Sequence, residues 1–332
     1  MKICTHCVLD ENYPGIKFNE NGVCNFCAAE TKRSEVSDNK RNEYDKKFKD
    51  LIGTHRNKGS YDAIVAYSGG KDSTYTMHLL KEKFDLNILA FTLDNWFFSD
   101  RAHTNIKNVI KAMGVDHINF RPRFNDYLDI IKASANNDMY SLKAMQRSSA
   151  ICTSCISLVR YLSFQTAIEK SIPFVIFGMS PGQAPLATSV VKTNPKMIKQ
   201  SQRSIYESLK EYAGDISARY FLSEEHFKQE DKFPYSINPL AFYDYNEDDI
   251  YEIIKQYDWE KPKDTDANSS NCLLNAYANK KHYQRYKINP YAYEVAGLVR
   301  NGAISRVEGL RRLGEDNSGS KILISIEDII NN

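Results

Sequence analysis

The stretch YDAIVAYSGGKDST (61–74) most limits what this chain can fold into. Its short unbroken apolar run marks a strand buried on both faces, and such strands belong to parallel sheets covered by helices. Two adjacent glycines follow, and then a helix-like run, STYTMHLLKEKF (73–84), that ends in lysines, favourable at the negative end of a helix dipole. The alternation continues. NILAFTLDN (87–95), DHINF (116–120) and PFVIFG (173–178) read as strands. RAHTNIKNVIKAMG (101–114), FNDYLDIIKASA (124–135) and CTSCISLVRYLSFQTAIEKS (152–171) read as helices, the first stopped by Gly114. Strands alternating with helices predict an α/β fold with a parallel sheet.

The loop joining the first strand to its helix carries Ser68-Gly69-Gly70-Lys71-Asp72-Ser73. It departs from the P-loop pattern because its glycines are adjacent and an aspartate follows the lysine. The carboxyl end of a strand in an open α/β sheet is where a ligand sits, and a helix start favours a phosphate there. Gly69 and Gly70 allow close backbone approach. Ser68 and Ser73 offer hydroxyls, Lys71 a positive charge, and Asp72 a hydrogen-bond acceptor or a face for Mg²⁺. A Gly-Gly turn alone would be a plain connection; the whole run at this junction predicts a nucleotide loop.

Seven cysteines fall in three groups. Cys4, Cys7, Cys24 and Cys27 have the spacing C-x2-C-x16-C-x2-C, which fits a four-cysteine zinc site with no open position. Metal binding supplies the folding energy that so small a segment cannot draw from a core. Cys152 and Cys155 form a C-x2-C pair at a helix start, either a redox pair or half of a metal site. Cys272, in SSNCLLN, is the remaining thiol that can join them; inert buried thiols are the alternative.

Composition is that of an ordinary globular chain, with 42% hydrophobic and 26% charged residues. A formal net charge of +2 leaves no broad nucleic-acid footprint. No run approaches a membrane span, and MKICTHC lacks the apolar core of a signal peptide, so a cytoplasmic location is expected. The reading divides the chain into a zinc-binding ribbon (1–30), a connector (31–60) and an α/β domain (61–240), followed by a mainly helical C-terminal region (241–332). The connector is a solvated helix or a flexible linker. Past residue 185 the periodicity blurs, apart from an amphipathic helix at NEDDIYEIIKQY (246–257).

S-G-G-x-D-S resembles the signature of the PP-loop ATP pyrophosphatases. The resemblance implies an adenine nucleotide alpha hydrolase-like core that cleaves ATP between the α and β phosphates. AMP passes to a carbonyl-type oxygen, and a nitrogen or sulfur nucleophile then expels it. Pyrophosphate would lie on Ser68, Gly69, Gly70, Asp72 and Ser73, with Lys71, Asp72 and Ser73 as catalytic groups. Adenosine would lie near Thr92 and Asp94. Gly178 and Gln183, in GMSPGQ (178–183), would close the site, although a simple turn explains them nearly as well.

Over nearly its full length the chain resembles the N-acetyl sugar amidotransferases of bacterial surface-polysaccharide and nonulosonic-acid pathways. The segments that carry this are CTHCVLDENYPGIKFNENGVCNFC, YSGGKDST, ICTSCISLVR, NPLAFYDYNEDDI, DANSSNCLLN and VRNGAISRVEGLRRL. The implied reaction turns an acetamido group of a nucleotide-activated sugar into an acetamidino group, with ATP, Mg²⁺ and Zn²⁺ as cofactors. The chain has no Gly-x-Cys-x-Gly glutaminase elbow. The resemblance implies that ammonia comes from a separate partner related to the glutaminase of the histidine-biosynthesis glutaminase–cyclase pair. Arg203, Arg300 and Arg306 are either substrate-phosphate ligands or ordinary surface arginines, and homo-oligomerisation is compatible with the reading. The alternative is a PP-loop sulfur transferase acting on tRNA or a small molecule. In one class of such thiolases a zinc module is present and three cysteines, here Cys152, Cys155 and Cys272, hold a [4Fe–4S] cluster. A non-catalytic zinc-ribbon nucleic-acid binder would leave the nucleotide loop without a task.

Overall fold

The computed structural model describes residues 2–34, 37–265, 268–269, 271–314 and 321–331. The cysteine-rich segment leads into α1 (Asn25–Ser34) and α2 (Ser37–His55), followed by β1 (Ala63–Ala66) and α3 (Lys71–His78). Next come β2 (Ile88–Leu93), α4 (Asp100–Met113), β3 (Asp116–Phe120), α5 (Phe124–Asn136), α6 (Leu142–Met145) and α7 (Ala150–Glu169). The sheet is completed by β4 (Phe174–Phe177), β5 (Val190–Lys192) and β6 (Tyr235–Ile237), with α8 (Pro195–Ala213) and α9 (Glu224–Phe227) between the last two. Helices then dominate: α10 (Glu247–Lys255), α11 (Leu274–Tyr286), α12 (Ala292–Arg300), α13 (Arg306–Gly314) and α14 (Lys321–Asn331).

The sheet order is β3-β2-β1-β4-β6-β5. Every pairing is parallel except that of β5 with β6. Strand β1 is central, with Val65 opposite Ala90 on one side and Ile176 on the other. The strand order reverses beside β1, so a crevice opens at its carboxyl end.

Side-chain alternation divides the core into two layers. Ile64, Leu89, Phe91, Leu93, Val175 and Phe177 face Tyr127 and Ile131 of α5 and Leu158 and Phe164 of α7. Ala63, Val65, Ile88, Ala90, Phe174 and Ile176 face Phe48 of α2, Met77 of α3, Val109 of α4 and Ile254 of α10. Each large side chain fully buried in this way contributes about 2 kcal/mol. Gly114 ends α4 in the left-handed conformation, φ 60°, as its sequence position predicts.

The α/β parallel-sheet core, the clustered N-terminal cysteines and the helical C-terminal region match the predicted fold class. Strands β5 and β6 and helix α8 are not foreseen. Each of these strands has three residues, too few to establish an alternation. By length and composition α7 would also pass as a membrane-crossing helix, contrary to the sequence expectation. Half of its apolar window is buried in this protein, and the helix is part of the core beneath the sheet.

Candidate active site

The loop after β1 is tied so that its carbonyls are occupied. Asn271 Nδ2 donates to Ser68 O at 3.1 Å, and Trp259 Nε1 to Gly69 O at 2.9 Å. Ser73 Oγ and Thr74 Oγ1 donate to Gly70 O at 3.1 and 2.8 Å. A peptide unit points its N–H away from its C=O. Holding three successive carbonyls therefore turns the N–H edges of the same peptides the other way. Gly69 has φ +75°, and a Cβ there would lie 2.6 Å from Ile106 Cγ1, so only glycine fits without rearrangement. Gly70 brings no side-chain acceptor to the start of α3, an arrangement that suits a bound anion. Ser68 Oγ and Ser73 Oγ lie 3.1 Å apart across the loop.

Lys71 is nearly buried, and its Nζ meets Asp72 Oδ1 at 2.8 Å, Tyr245 Oη at 2.7 Å and Glu247 Oε1 at 3.2 Å. Burial disfavours its charge, but Asp72, Tyr245 and Glu247 outweigh burial and hold its pKa well above the usual lysine value. Glu247 is buried as well. Burial alone would raise its pKa, but Lys71 and Arg312 hold it below the ordinary value. Asn246 caps α10 and accepts from the N–H groups of Asp248 and Asp249, which fixes where Glu247 stands.

A cavity of about 460 Å³ opens from this loop on the α7 side of the sheet. Ser68 and Gly70 to Ser73 form one wall, and Cys152, Cys155 and Cys272 line the same space. Cysteines distant from the loop in sequence are thus its neighbours across the cavity. Ser149 caps α7 and accepts from Cys152 N–H at 3.1 Å, so Cys152 and Cys155, one turn apart, share a helix face. Asn95 Nδ2 points at Cys272 Sγ from 3.3 Å, and Asn275 Nδ2 at Cys152 Sγ from 3.8 Å. Burial pushes the Cys155 thiol up against the pull of Tyr127 and Asn95, and pushes Cys272 up to about 12. Such thiols become thiolates when a cation takes them.

Gly178 and Gln183 both line this cavity. A Cβ on Gly178 would sit 2.8 Å from Ser73 Cα, so the loop after β4 touches the start of α3 backbone to backbone. Gln183 Nε2 donates to Glu294 Oε2 at 2.9 Å and Ser180 Oγ to Glu294 Oε1 at 3.0 Å.

Thr92 and Asp94 lie elsewhere. Alternation along β2 sends them to the face opposite Phe91 and Leu93, into an adjoining cavity of about 380 Å³ beside α4. Thr92 Oγ1 donates to Tyr67 O at 2.7 Å and meets His117 Nε2 at 2.8 Å, and burial lowers the His117 pKa. Asp94 is buried, pairs with Arg121 and accepts from Trp96 N–H at 3.1 Å. Phe98 lines both cavities.

Cys4, Cys7, Cys24 and Cys27 bring their sulfurs within 4.8 Å of one another, close enough for one metal ion. The Cys4–Cys27 and Cys7–Cys24 separations are both 3.8 Å. That is about the edge of a tetrahedron with bonds near 2.3 Å. Arg306 donates to the carbonyls of Cys4 at 2.8 Å and Cys7 at 3.0 Å. It braces the knuckle. Arg203 is exposed and pairs with Glu207, and Arg300 lies over the Tyr293 ring. Arg147 and Arg312, which the sequence did not single out, are the arginines that line the cavity. Trp259, Asn271, Glu247 and Glu294 were likewise missed, because their connection to the loop exists only in the folded chain.

No protein-family model matches the chain. It is 25% identical over 263 residues to the uncharacterized protein MJ1599 of Methanocaldococcus jannaschii, a match covering 79% of this chain and 76% of that protein. Among solved structures it is similar to the U34-tRNA thiolase NcsA from Methanococcus maripaludis with its [4Fe–4S] cluster. The TM-score is 0.37 and the identity 16%, over all of this chain and 89% of that one.

Proposed function

We propose that the chain is an ATP-dependent, AMP- and pyrophosphate-forming amidotransferase that converts an acetamido group of a nucleotide-activated sugar into an acetamidino group. One observation carries this reading. Five of the six segments behind the sequence resemblance, hundreds of residues apart, line the single 460 Å³ cavity. They contribute Ser68 and Gly70 to Ser73, Cys152 and Cys155, Glu247, Asn271 and Cys272, and Arg312. The sixth is the cysteine module, whose four sulfurs fit a structural zinc ion.

An amide is a poor electrophile because resonance spreads its nitrogen lone pair. Transfer of AMP to its oxygen gives an imidate-like carbon with a good leaving group, which ammonia attacks. The loop's N–H edges and Lys71 would hold the departing pyrophosphate, so positioning and charge stabilisation are the protein's main tasks. Mg²⁺ would neutralise the phosphates, and the adjoining cavity at Thr92 and Asp94 has room for the adenosine. Ammonia would be supplied by a separate glutaminase.

The three cavity cysteines favour a second reading, sulfur transfer. Their half-buried side chains, with amide donors aimed at two of the sulfurs, form a donor set suited to a [4Fe–4S] cluster. When bound by three thiolates, such a cluster offers one iron to an external ligand. Product analysis separates the two readings. Acetamido nucleotide sugars, ATP and ammonium should yield AMP, pyrophosphate and a sugar in which imino nitrogen has replaced oxygen. Pyrophosphate release that depends instead on tRNA and a sulfide donor would establish sulfur transfer.

A further inference from the structure

We propose that Glu294 is a catalytic residue, the acceptor of the proton lost by the nitrogen nucleophile as it attacks the activated substrate. The inference rests on the amidotransferase reading and extends it to the second half of the reaction.

Three acidic side chains line the loop cavity, and their surroundings differ. Asp72 is bonded to Lys71 and Tyr245, and Glu247 to Lys71 and Arg312. Among the described residues, no lysine or arginine is ion-paired with Glu294. Its carboxylate is held by two neutral donors instead, Ser180 on one oxygen and Gln183 on the other. These fix its orientation and leave it lone pairs for a proton. Its backbone is equally fixed. A Cβ on Gly182 would lie 2.3 Å from Glu294 O, and one on Gly297 would lie 2.7 Å from Gly182 Cα. The 178–184 loop and α12 therefore meet at backbone contact, with the carboxylate directed into the cavity.

Charge and burial act in the same sense. Burial, then the negative charge of Asp72, raise the Glu294 pKa to about 7, with Ser180, Lys71 and Gln183 working against them. The charged groups facing it are Asp72 and Lys71, both at the start of α3. Carboxylates driven apart by their environments take different parts in one reaction. In the step assigned here the ammonia lone pair forms the new C–N bond. The nitrogen, now positive, passes one proton to Glu294, and the C–O bond breaks with its electron pair leaving on AMP. No oxidant or reductant is required.

The test compares wild type with Glu294→Gln and Glu294→Asp, using ammonium as nitrogen source and rates expressed per free ammonia. The first half-reaction is read as substrate-dependent exchange of pyrophosphate into ATP. The expected Glu294→Gln protein melts like wild type and exchanges pyrophosphate within about twofold, but forms amidine roughly 10²-fold more slowly or worse. The wild-type rise in rate with pH through about 7 disappears in this variant, and Glu294→Asp recovers part of the rate. Amidine formation by Glu294→Gln with the pH limb intact overturns the assignment while leaving the amidotransferase reading standing. So does a joint loss of exchange and product, or a variant rescued by high Mg²⁺. A wild-type protein that makes no amidine from any acetamido nucleotide sugar overturns both.

Discussion

Arg312, in the last turn of α13, donates to both carboxylate oxygens of Glu247, at 3.2 and 2.6 Å, and Glu247 in turn reaches Lys71 at 3.2 Å. A residue near the C-terminus thus sets the electrostatics of a lysine in the first βα loop. Glu247 is buried and Arg312 nearly so, so removing the arginine strands a charge. Arg312→Leu should lower stability by about 3 kcal/mol in urea denaturation. Arg312→Lys should fall between, because it keeps the charge and loses the fork. The Glu247 pKa is lower folded than unfolded. The stabilisation is therefore present above the ordinary glutamate value near 4.5 and is lost as pH falls through the lower folded value. In Arg312→Leu this acid-side loss should shrink to the share that Lys71 still supplies.

Asp72→Ala should leave the circular dichroism spectrum and melting temperature close to wild type while abolishing substrate-dependent pyrophosphate release. Retained release would remove the loop from the mechanism.

Trp259→Phe should cost about 1.5 kcal/mol, because the buried Gly69 carbonyl loses its donor. A looser cradle should also raise the KM for ATP more than it lowers kcat. Gly178→Ala should be worse, since its methyl would meet Ser73 Cα at 2.8 Å and push on the start of α3. Overpacking of this kind costs about 1–3 kcal/mol, and both effects are read by thermal melts and ATP titration.

Metal analysis after anaerobic purification should find one zinc per chain; under the sulfur-transfer reading it also finds iron and sulfide. Cys24→Ser should lose the zinc and expose the N-terminal segment to limited proteolysis. Cys272→Ser should lose iron and leave zinc in place. Iron retained in that variant would free Cys272 from a ligand role.

The α/β class was legible because β1, β2 and β4 are buried on both faces and so read as plain apolar runs. Strand β3 lies at the sheet edge with a mixed burial pattern, so DHINF mixes polar and apolar residues where the central strands are plain apolar runs. The cysteine module was legible from spacing, since its ligands are local in sequence. The rest of the site was not. Glu247, Glu294, Arg312 and Trp259 act through contacts spanning 65 to 190 residues, and a single acidic or aromatic residue in a helix looks the same whether it faces solvent or a cavity. Thr92 and Asp94, which the resemblance sets near the adenosine, line the adjoining cavity; that this is a separate space follows from which neighbour covers each side of β2, and a strand pattern alone does not say.

The close approach of Gly182 and Gly297 has a mechanical consequence. With no side chain between the two backbones, nothing there can be trimmed to widen the cavity or enlarged without prising the segments apart. The contact is a hard stop. Because α12 also packs Val295 and Ala296 against the cysteine knuckles, the helix can swing only as a lever borne by that module. Breathing of the cavity, read as hydrogen exchange in α12, should therefore rise and fall with exchange in the first thirty residues.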